Sequence, residues 1–201
     1  MASPIPPTYH QKMRQRRPKE VRVPDTVNGV LEELTRGFGA PRLTVELLPS
    51  STWGSNLRSA LRVSHWDKLR RGAYAAANHR CEICGGVGHQ YRVACHERWE
   101  FDDAQSCQRL VGLIALCPAC HDVKHFGRAN ENGRGPDATL HLCEVNDWSI
   151  GDANRYVELH FALWKLRTRK EWCLDLTWLA QFGIVPKARD HSSSSTSTRG
   201  G

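Results

Sequence analysis

Two short runs decide how this chain folds: RCEICGG at residues 80–86 and LCPACHDVKH at residues 116–125. Each holds a Cys-x-x-Cys pair, Cys81/Cys84 and Cys117/Cys120. Together they supply four thiolates, the full tetrahedral shell of a closed structural Zn²⁺ site. Gly85 and Gly86 follow the first pair, where a metal knuckle needs permissive backbone. Pro118 stands at the natural first position of a helix, with Cys120 inside its first turn. A redox role fits less well, because two such pairs are present and neither is set in a βαβ pattern.

The helix that begins at Pro118 carries His121 and His125 on one face, since positions four apart are neighbours while adjacent ones diverge by ~100°. Cys120 can therefore face the zinc while both imidazoles face elsewhere. Four cysteines already fill the zinc shell, so the two histidines form a half-site for a second, hydrolytic metal. Lys124, between them, suits a phosphate contact, as do Arg80 and Arg128 at the flanks. In the intervening run VACHERWEF, residues 93–101, His96 has an ordinary pKa suited to a general base and Glu97 is a hard oxygen ligand.

The remaining composition sets bounds. The chain has 201 residues, 40% hydrophobic, and a net charge of +7, which suits a polyanionic partner. It contains no apolar run long enough for a membrane span. Residues 1–25 read as a disordered arm rich in Pro and basic residues, without the apolar stretch of a secretory signal, so a cytoplasmic location is expected. In that reducing setting Cys95, Cys107, Cys143 and Cys173 read as free buried thiols.

Residues 26–62 read as an N-terminal extension. Its helix is capped by Asp25 or Thr26, carries Val27, Val30, Leu31 and Leu34, and ends at Gly37 and Gly39; a strand-like alternation over Leu43, Val45 and Leu47 follows. Residues 63–186 read as the main domain. A helix there is announced by a Ser64/Asp67 capping box. Strands are expected around Tyr91–Glu97 and Leu110–Leu116, and a short helix is expected to reach Phe126 and stop at Gly127. After a loop at 127–136, a Ser149/Asp152 capping box opens a long helix. It ends in Lys165, Arg167, Arg169 and Lys170, which with Arg14, Arg16, Arg17, Lys19 and Arg22 can track a phosphate backbone. An apolar segment from Trp172 to Trp178 should pack on the core, and residues 187–201 read as a low-complexity tail.

RCEICGG, VACHERWEF and LIALCPACHDVKHFG together resemble the zinc-containing subgroup of HNH endonucleases, over about residues 80 to 128. The resemblance implies an α+β fold: a ββα-metal HNH core stapled by the four-cysteine zinc site, with flanking helices. It also implies metal-dependent hydrolysis of DNA phosphodiester bonds, with Mg²⁺ or Mn²⁺ bound by Glu97, His121 and His125. The catalytic residues would be His96, Glu97 and His121. Two registers are open at the first motif, where the family has Asp-His or His-His and this chain has Cys95-His96-Glu97. Either His96 is the base, the preferred choice because its pKa needs no adjustment, or His96 binds metal and Glu97 is the base. The family's middle Asn falls at Gly112, and Gln108 or Arg109 is left to hold the loop. The alternative functions are a zinc-stabilised nucleic-acid-binding module without catalysis, and an assembly factor that recruits a partner through the aromatic Trp164 face.

Overall fold

The computed structural model describes residues 22–54, 56–87 and 93–187. The tail from 188, and most of the N-terminal arm with Arg14, Arg16, Arg17 and Lys19, lie outside those residues.

Helix α1 spans Val27–Phe38, capped by the Thr26 hydroxyl, which accepts from the Gly29 N–H. Its stripe of Val27, Val30, Leu31 and Leu34 packs on Leu159 and Leu163 of the long helix α7, Ile150–Arg167. The expected strand at 43–47 pairs with no other strand among the described residues. Leu43 and Val45 are buried, so the period of two is real, but it reports one-sided burial rather than a ladder. The Asn146 side chain takes the place of a neighbouring strand at Leu43, accepting from its N–H and donating to its C=O.

Beyond a 3₁₀ turn at Ser50–Thr52 come α2, Leu57–Ala60, and α3, Val63–Ala76. The expected Ser64/Asp67 box is absent: α3 starts at Val63 after an extended Arg62, and Asp67 is engaged by Arg70 at 2.7 Å. Strands β1, Ala94–Asp102, and β2, Cys107–Leu116, form an antiparallel hairpin with a bulge at Arg98/Trp99. A short β3, Cys173–Asp175, adds in parallel to β2. Cys107 and Cys173 face each other in that register and form a disulfide, which corrects the expectation that both are free thiols.

The cysteine-bearing helix is α4, Pro118–Lys124. Gly127 does not stop the chain's helical course. Helix α4 itself ends at Lys124 with His125 as its C-cap, two residues short of the expected Phe126. Gly127 lies within the next helix, α5, Phe126–Glu131, which ends before Gly133, where φ is +74°. Helix α6, Gly135–Asn146, then leads to α7, whose Ser149/Asp152 capping box forms both of its bonds. The end of α7 is anchored inward. Arg167 is buried, bonds both carboxylate oxygens of Asp103 at 2.8 and 2.6 Å, and stacks on the Phe101 ring. It is therefore no part of a phosphate-facing cluster.

The sheet separates two apolar clusters. Leu57, Leu61, Leu69, Leu110 and Leu179 form one. The other joins Leu43 and Val45 to Leu116, Val123, Phe126, Leu142 and Ala153, so the N-terminal extension is packed into the same core as the cysteines. None of the described helices is long and apolar enough to cross a membrane.

Candidate metal centres

The four cysteines converge: one sulfur from each of Cys81, Cys84, Cys117 and Cys120 lies within 4.8 Å of the others. Local backbone builds each half. In the first, the Gly85 N–H donates to Cys81 O, the Cys81 N–H to Gly86 O, and the Gly86 N–H to the Cys84 sulfur at 3.4 Å. Gly85 sits at φ +75°, and a Cβ on Gly86 would meet the Cys84 sulfur at 3.3 Å. In the second, Cys117 caps α4, its sulfur accepting from the Cys120 N–H. Glu82 ties the knuckle to the end of β2, since its N–H donates to Ala115 O and its carboxylate accepts from the Ala115 N–H at 2.6 Å.

Bonds from Cys117 and Cys120 hold the Cys81 thiol far below its usual range, and bonding to Cys117 and Cys81 pushes Cys120 far up. A tetrahedral thiolate cluster of this kind is completed by a cation such as Zn²⁺. His141 adds an outer partner, its Nε2 lying 3.1 Å from the Cys120 sulfur.

A second cluster lies between β1 and α4. His96, His121 and His125 each bring one ring nitrogen within 4.8 Å of the other two, with ring centroids 4.6 to 5.5 Å apart. Helical spacing aligns His121 with His125, and His96 reaches them from the strand. Burial, aided by the neighbouring His96, lowers His121 to about 4 and His125 to about 3. Both imidazoles are therefore neutral near pH 7, the form that ligates metal.

His96 is 2% exposed. Its Nε2 lies 3.2 Å from Glu46 Oε1, while its buried Nδ1 has no hydrogen-bond partner among the described residues. A carboxylate on one ring nitrogen and an open lone pair on the other is the arrangement by which proteins orient a metal-bound histidine. Glu46 is itself held: its N–H donates to Lys124 O, and its Oε2 lies 3.8 Å from Lys124 Nζ. Lys124 Nζ donates to Thr44 Oγ1 at 2.6 Å. This lysine, expected to meet phosphate, is turned into the core, where burial lowers its pKa.

Glu97 does not join the imidazoles. Its Oε1 accepts the Leu57 N–H at 3.0 Å, yet it lines the same cleft of about 630 Å³ as His121, His125 and the exposed Arg128. Strand alternation explains the division: Cys95 and Glu97 share one face of β1 and His96 takes the other. Arg80 donates to Gly85 O and serves the knuckle. Of the two residues left to stand in for Asn, Gln108 is fully buried and accepts from the Thr52 hydroxyl, fastening the 3₁₀ turn to β2, whereas Arg109 pairs with Asp175. Glu46 and His141 escaped the sequence reading. Each lies far along the chain from the group it touches, and neither has a spacing signal.

Protein-family models, curated proteins and solved structures offer no match to this chain.

Proposed function

We propose that the chain is a metal-dependent endonuclease of the HNH type, hydrolysing phosphodiester bonds of DNA beside a zinc-stapled scaffold. The observation that carries this reading is the convergence of His96, His121 and His125, with the orphaned Nδ1 of His96 backed by Glu46 on the opposite nitrogen. With His96 among the ligands, the second of the two registers open in the sequence is favoured, and the base is Glu97. Its carboxylate is steadied by the Leu57 N–H while it lines the cleft with His121 and His125. Arg128, exposed on that cleft, balances the charge of the phosphate.

The bound ion supplies stabilisation of charge developing on the scissile phosphate. Three imidazole donors suit Mn²⁺ and the later divalent ions better than Mg²⁺, which prefers oxygen donors. Glu97 takes the proton of the attacking water, and Glu46 keeps His96 in a single tautomer.

Plasmid nicking tests the proposal. Wild-type protein with zinc bound should nick with Mn²⁺ and less well with Mg²⁺. Glu97→Gln should lose about 100-fold or more in rate, and His125→Ala should lose activity together with Mn²⁺ binding while zinc content stays at one per chain. One specific observation favours a second reading, a binding module without catalysis: the Glu97 carboxylate is already committed to a backbone N–H. DNA binding without cleavage under every divalent ion would establish that reading instead.

A further inference from the structure

The histidine cluster opens onto two clefts that share Asn56, His125 and Arg128. The first, already described, is polar and carries Arg58 as well as Arg128, both exposed. The second, about 500 Å³, is walled by Trp53, Trp164 and Phe161. Trp53 is 62% exposed although it stacks on Trp164, with ring centroids 6.1 Å apart and planes within 10°. Both indole N–H groups donate to one acceptor, Leu48 O, at 2.8 and 3.0 Å. That shared carbonyl fixes the two rings in parallel and leaves much of the outer indole surface to solvent. Trp164 is fixed in turn by an edge contact with Phe161.

An exposed, pre-oriented indole costs solvation without helping the core, and its position next to a proposed phosphate-cleaving site is informative. Each base has a π face, so an aromatic platform beside cationic side chains is the usual means of holding an unpaired strand. Both clefts carry two carboxylates, but the polar one sets Arg58, Arg70 and Arg128 against Asp67 and Glu97. The aromatic one sets Arg128 alone against Glu46 and Glu131, which tells against a phosphate there. Glu131 stands on its wall, whereas Glu46 is committed to His96 and Lys124. The charge pattern thus assigns backbone phosphates to the Arg58–Arg128 side and a base to the Trp53 side.

We propose that this groove binds unpaired DNA, one base stacking on Trp53 while the adjoining phosphate lies by Arg128 at the histidine cluster. The proposal deepens the nuclease reading and rests on it for the position of the phosphate. The favoured substrate is therefore DNA with an unpaired segment, such as a flap, a frayed end or the locally melted sites of a supercoiled plasmid, over relaxed duplex.

The test is fluorescence anisotropy of full-length, zinc-loaded protein in Ca²⁺, with a labelled oligo-dT 20-mer and a blunt 20-base-pair duplex. Wild-type protein should prefer the single strand. Trp53→Ala should weaken single-strand binding about 5- to 150-fold, the span of one base–aromatic stack, with the duplex unaffected. Trp53→Phe should restore most of the loss, which separates stacking from damage to the fold. Arg128→Ala should weaken both probes and lessen their salt dependence. Equal binding of both probes by wild type, or equal loss of both in Trp53→Ala, overturns the proposal. So does a concentration-dependent dimer that Trp53→Ala abolishes, because the groove would then hold a second copy. The two readings fail separately. Duplex cleavage indifferent to Trp53 removes the stacking role and keeps the nuclease, while Trp53-dependent single-strand binding without any cleavage does the reverse.

Discussion

The cysteine cluster and the histidine cluster lie at the two ends of the same short helix, and they are built in different ways. Each pair of sulfurs is set by backbone within a few residues: the Gly85–Gly86 knuckle for one, the Cys117 cap and Pro118 for the other. The histidines depend on distant chain. His96 comes from a strand, and the carboxylate that orients it comes from Glu46, on an extended segment packed into the core through Leu43 and Val45. A site made of local turns survives small changes elsewhere, whereas a site assembled across the fold can be lost by loosening any one support. The staple should therefore govern whether the chain folds, and the histidines whether it acts.

The strongest way to break that contrast is at the staple. Cys120→Ala removes a fully buried sulfur of the cluster, and where four thiolates hold a structural zinc, metal binding contributes folding free energy of about 10 kcal/mol or more. Loss of zinc by metal analysis should accompany loss of a cooperative thermal transition. A Cys120→Ala protein that melts like wild type would mean the sulfurs carry no structural metal.

Glu46→Gln sharpens the other side. It keeps the shape of the side chain but weakens its hold on His96, so Mn²⁺ affinity should fall about 10- to 100-fold by calorimetry, with zinc content unchanged. If the affinity stays the same, Glu46 has no part in orienting the ligand.

The smallest effect concerns the floor behind Glu46. His160 and Glu46 both line a further cavity, burial lowers His160 to about 3, and its Nε2 has no hydrogen-bond partner among the described residues. A histidine depressed in the folded state binds fewer protons there than in the unfolded chain. Its stability contribution is complete above its ordinary value of 6.5 and is lost as pH falls toward about 3. Urea denaturation at pH 7 and pH 5 should differ by about 2 kcal/mol from this group. His160→Leu should reduce the overall pH dependence by about that amount, leaving the part that comes from the similarly depressed His121 and His125. An unchanged pH dependence would place the titration elsewhere.

Much of this division was present in the chain before it folded. Spacing of four cysteines, two permissive glycines and a proline at a helix start specifies the staple, because metal geometry and turn chemistry act over a handful of residues. Helical spacing likewise located α1, and a capping box the start of α7. The strands expected at 91–97 and 110–116 lie at Ala94–Asp102 and Cys107–Leu116, with 91 and 92 outside the described residues. Gly127 misled in detail because α4 already ends at Lys124, capped by His125, and the packing of Phe126 and Ala129 places Gly127 inside the next helix.

By itself, then, the sequence determined the four sulfurs, the shared face of His121 and His125, and an α+β framework to hold them. Only the tertiary structure decided that His96 rather than Glu97 meets those imidazoles, that Glu46 lies behind it, that Lys124 and Arg167 face inward, and that Cys107 meets Cys173. The physical reason is the distance over which each force is encoded. Turns, caps and helical faces are written in neighbouring residues. Pairing across a fold is settled by which surfaces are buried together, and one residue of strand alternation is enough to send His96 to one face and Glu97 to the other.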